Sequence, residues 1–74
     1  MNHRFALDMA AALAVRLEKD AGDSAARVHR AFALCYARDA AADEIAGGVK
    51  LIESFGLRAF CRAMLNTNEL ITVN

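Results

Sequence analysis

The chain has 74 residues, 57% of them apolar, and its nine basic and nine acidic side chains leave a formal net charge of zero. A length of this kind holds one domain that buries only about 60% of its unfolded surface. The balanced charge argues against a protein that finds nucleic acid or an anionic membrane through a broad positive field. The longest apolar run falls short of the roughly 20 residues a membrane span needs, and the start lacks the charged, apolar and small-residue order of a signal peptide. Proline is absent and no alternating apolar and polar run is long enough for a half-buried strand. The chain therefore reads as all-α, a compact bundle of four short helices with tight turns and a short extended C-terminal tail.

Asn2 can cap a first helix in which Phe5, Met9, Leu13 and Leu17 follow one another at i+4, with Ala6, Ala10 and Ala14 on the same side. Asp8, Arg16, Glu18, Lys19 and Asp20 cover its other faces. Gly22 ends it in the usual C-cap role, and Asp23-Ser24 supplies the next N-cap. A connection this short folds neighbouring helices back on each other. The second helix runs from about Ala25 to Tyr36 or Ala37, with Val28, Phe32 and Cys35 on its buried stripe, Ala31 and Leu34 beside it, and Arg27, His29 and Arg30 facing water.

Asp39 is the best cap for a third helix that carries Ile45, Val49, Ile52 and Gly48 on one face. A glycine inside a helix costs about 1 kcal/mol relative to alanine, so Gly48 signals either a close helix crossing or simple tolerance. Gly56 stops this helix and leads straight into the strongest pattern of all, Leu57, Phe60, Cys61, Met64 and Leu65 at i, i+3, i+4, i+7 and i+8. A polar cluster, Asn66-Thr67-Asn68-Glu69, ends it. There Asn66 can act as a left-handed cap and Thr67 or Asn68 as the cap of a following turn, with Glu69 accepting from freed N–H groups. Leu70, Ile71 and Val73 would pack the tail back on the bundle.

Candidate chemistry is sparse. His3 and His29 have no partners at metal-ligand spacing. No helix spacing forces two of Asp8, Asp43, Glu44, Glu53 and Glu69 together as an acid and base pair. Cys35 and Cys61 form no CxxC and both sit in apolar stripes, so free thiols are expected, with a bridge between packed helices left open for an exported parent. No metal or other cofactor is expected. Arg27, Arg30 and Arg38, with Arg58 and Arg62, could form a basic patch. A helix-turn-helix would want such residues on the third helix, which offers Lys50 and two glycines, so DNA recognition ranks last. The cluster with most potential to bind a ligand, or else to cap the last helix, is Asn66, Asn68 and Glu69 with Arg38 or Arg62.

From end to end the chain resembles the C-terminal part of the planctomycete-specific domain one family, a domain of unknown function in large bacterial envelope-associated proteins. The resemblance rests on Asn2-His3-Arg4-Phe5, Leu13 to Leu17, Ala26-Arg27-Val28, Ala31-Phe32-Ala33-Leu34, Arg38 and Glu44. It rests above all on Cys61-Arg62-Ala63-Met64-Leu65-Asn66-Thr67-Asn68-Glu69-Leu70, which is similar to the family's R-A-L-L-N-x-N-E-F ending. Ala40 and Ala41 stand where the family has a proline and a Thr or Ser, so the Thr-x-x-Glu capping box is lost and Glu44 keeps only its favourable placement at a helix start. Leu70 and Thr72 replace the family's aromatic residues near the end.

The resemblance implies that residues 1–74 are one helical module excised from the C-terminal end of a larger multidomain protein. Other parts of such parents often include a second uncharacterised domain and sometimes a c-type cytochrome domain. The parent would be exported or periplasmic, while the fragment itself carries no address. The resulting expectation is a non-enzymatic interaction or structural module whose partner is the upstream domain of the same parent, or a second copy of itself. Such a module should leave a bare apolar patch near the first helix or the tail. The alternative is that the Asn and Glu cluster completes a ligand or catalytic site shared with that upstream domain.

Overall fold

The structure, a computed structural model, describes residues 3–67, with side chains from Met9 to Thr67. Four helices account for nearly all of these residues: α1 (His3–Asp20), α2 (Ser24–Tyr36), α3 (Ala42–Phe55) and α4 (Leu57–Leu65). The expectations placed on the Asn2 cap, on the side chains of His3, Phe5, Ala6 and Asp8, and on Asn68, Glu69 and the Leu70–Val73 tail lie outside the described residues. Along the chain each helix packs on the next, and α4 closes the ring against α1. The radius of gyration of 11.5 Å matches the roughly 11.3 Å of a packed domain this long, so the short helices nest as one unit.

The core of the described residues is Ala10, Ala14 and Leu17 from α1, Val28, Ala31 and Phe32 from α2, and Phe60, Cys61 and Met64 from α4, and among the described residues no polar side chain is buried. The α4 stripe behaves as its spacing predicts, Leu57 and Leu65 flanking the buried three. On α1 the i+4 ladder is corrected. Steps of four residues drift about 40° around a helix with 3.6 residues per turn, so Met9, Leu13 and Leu17 cannot all meet one partner. Ala10, Ala14 and Leu17 share the buried face instead, leaving Leu13 half-buried and Met9 43% exposed. Leu34 of α2 is likewise exposed, at 39%.

The turns show where chain chemistry sets each boundary. Asp23 is extended and its Oδ1 accepts from the Ala26 N–H at 2.8 Å, capping α2 as expected. Gly22 does not cap α1: only Ala37 and Gly56 have positive φ among the described residues. The guanidinium of Arg27 supplies the donor there, its Nε reaching the Ala21 carbonyl at 3.0 Å, so Arg27 is partly buried rather than facing water. At the other end of α2, Ala37 takes the left-handed conformation at φ 57° and its N–H bonds the Ala33 carbonyl. Gly56, at φ 97°, ends α3 and starts α4, a role its missing Cβ permits.

The start of α3 corrects the sequence reading twice. Its N-cap is Ala41, not Asp39, and Glu44 does more than lie at a helix start: Glu44 Oε1 accepts from the Ala41 N–H at 2.9 Å. Half of a capping box therefore survives without a hydroxyl residue at the cap. Between its two readings, Gly48 is resolved as a close crossing. A Cβ built there would lie 2.7 and 2.9 Å from the two methyl carbons of Val28 and 3.1 Å from Phe60 Cε1, whereas one on Gly47 would meet nothing within 4 Å. Thus α3 approaches the core through bare backbone and seals its flanks with half-buried Ile45, Val49, Leu51 and Ile52.

Candidate functional site

Among the expected cluster residues, Arg38 is the one most firmly placed. Its guanidinium forks onto Glu44, with Nη1 to Oε1 and Nη2 to Oε2 both 2.9 Å, and Nη1 also donates to the Asp39 carbonyl at 2.9 Å. The same guanidinium lies 5.1 Å from the Phe32 ring centre and 5.8 Å from that of Tyr36, within cation–π range. Those two rings meet edge to face at 5.2 Å and 87°. The Arg38 fork, followed by the Ala41 N–H, holds the Glu44 carboxyl well below its usual range, at about 2. Arg38 is thereby a clamp between the end of α2 and the start of α3.

Asn66 is exposed and follows α4 at φ −99° and ψ 7°, so it is not the left-handed cap expected; its N–H bonds the Arg62 and Ala63 carbonyls. Thr67 turns back onto α4, and the turn expected to follow it lies outside the described residues. Its Oγ1 donates to the Met64 carbonyl at 3.0 Å and lies 2.7 Å from the Tyr36 hydroxyl, which reaches the same carbonyl at 2.9 Å. Tyr36 is the residue the sequence reading missed. The available signal was a half-apolar ring at a helix end, whose hydroxyl needs a partner once partly buried. Arg62 is exposed on α4, and among the described residues it makes no ion pair with Arg38's neighbours.

Two hollows flank this arrangement. One, of about 290 Å³, lies between α2, α3 and α4, where Phe32, Gly48 and Phe60 form its apolar wall and Tyr36, Glu44 and Thr67 its polar edge. The other, of about 360 Å³, is a groove lined by Met9, Ala12, Leu13, Arg16, Leu34, Cys35 and Leu65, from α1, α2 and α4. Among the described residues Arg16 is its one charged side chain, and it is already paired, since Asp20 Oδ2 accepts from Arg16 Nε at 2.7 Å and from Arg30 Nε at 2.9 Å. Those two bonds hold the Asp20 carboxyl below the usual carboxylate range. Arg27, Arg30 and Arg38, three of the five arginines of the expected basic patch, are therefore bonded within the bundle.

Both cysteines are free thiols, Cys61 fully buried and Cys35 partly so. Burial pushes both up, Cys61 to about 11 with Cys35 and Glu18 adding to it. Among the described residues no cation lowers either thiol, so neither is held as the thiolate that reacts. Among the described residues no three His, Cys, Asp or Glu side chains converge to hold a metal ion, and no helix is long and apolar enough to cross a membrane. Comparison with protein-family models, with curated proteins and with solved structures finds no match to this chain.

Proposed function

We propose that the chain is a non-catalytic helical interaction module of a larger bacterial protein, of the kind its resemblance to the planctomycete-specific domain one family implies, and that its partner is the upstream domain of the same parent. The observation that carries this reading is the groove between α1, α2 and α4. Met9 and Leu34 stand exposed on it beside half-buried Leu13 and Leu65, and an apolar hollow near the first helix is what a module that packs on a neighbour should present. Bonding of three arginines within the bundle supports this partner over DNA, for which fewer free cations remain to neutralise phosphates. The test is binding of the upstream domain, expressed separately, to the chain and to a Leu34→Asp variant. Binding that falls at least tenfold while the helical signal is unchanged supports the proposal; undiminished binding refutes the groove as the contact.

A second reading has one observation in its favour: Arg38 and Thr67 both meet Tyr36 at the edge of the α2–α3–α4 hollow. In that reading Asn66, Asn68 and Glu69, with Arg38 or Arg62, complete a ligand site shared with the upstream domain. Replacing Asn68 and Glu69 in the full-length protein separates the two. Lost ligand binding with intact folding favours a site, and lost stability favours capping.

A further inference from the structure

We draw no further inference here: the strongest candidate, the hollow between α2, α3 and α4 that Gly47 and Gly48 line beside Tyr36 and Thr67, is an apolar recess in which no buried side-chain polar atom of the described residues lacks a partner, and nothing in the structure shows what covers it.

Discussion

Adjacent glycines on α3 should respond to alanine with opposite signs. Both gain the same helix propensity, about 1 kcal/mol. At Gly47 that gain stands alone, because an added methyl meets nothing within 4 Å. At Gly48 the methyl would lie 2.7 Å from Val28 Cγ2. Val28 is fully buried and Phe60 nearly so, and a β-branched side chain has little freedom to rotate away. Forcing a methyl into such a core costs about 1–3 kcal/mol. The propensity term cancels between the two variants, so their difference isolates the crossing itself: Gly48→Ala should be less stable than Gly47→Ala by about 2 kcal/mol, or roughly 8–16 °C in Tm for a domain of this size. Urea unfolding followed by circular dichroism reads both, with midpoints about 0.7–2 M apart at slopes of about 1–3 kcal/mol/M. Equal stability would refute α3 packing through bare backbone.

Three further outcomes follow from the clamp and the thiols. A carboxyl held near 2 against an ordinary 4.5 contributes stability that is present above the unfolded value and lost as pH falls through the folded one. Wild type should therefore exceed Glu44→Gln in stability at pH 7, with the difference shrinking between pH 4.5 and 2; a constant difference across that range would contradict the Arg38–Glu44 fork. Tyr36→Phe should cost about 1 kcal/mol in urea unfolding, the usual worth of one such hydrogen bond, and an unchanged midpoint would mean the hydroxyl does not hold α4. Iodoacetamide at pH 7.5 should alkylate Cys61 only on unfolding, and Cys35 slowly, whereas rapid labelling of Cys61 in the folded chain would overturn its burial.

Helix number and order were legible because each signal was local. The α4 stripe, Gly56 and the Asp23 cap depend on residues within a turn or two of one another. The start of α3 was not, since the Glu44 carboxyl that bonds the Ala41 N–H is also held by Arg38, whose guanidinium lies over Phe32 and Tyr36. Nothing in the order of residues 38–44 states that stacking. The two glycines at 47 and 48 look alike in sequence and differ only in what the neighbouring helices bring to them. Within the candidate cluster Arg38 forks onto Glu44, Arg62 and Asn66 are exposed, and Asn68 and Glu69 lie outside the described residues, while Tyr36 owes its role to Met64, 28 residues away.

If the chain packs on an upstream domain as proposed, the α1–α2–α4 groove is covered in the parent protein. Hydrogen exchange by mass spectrometry on residues 1–74 alone and within the full-length gene product tests it most directly. Slower exchange in the full-length product for the peptides carrying Met9, Leu13, Leu34 and Leu65, with Lys50 and Glu53 on α3 unchanged, is the result expected. Identical exchange in the two at the groove would contradict it.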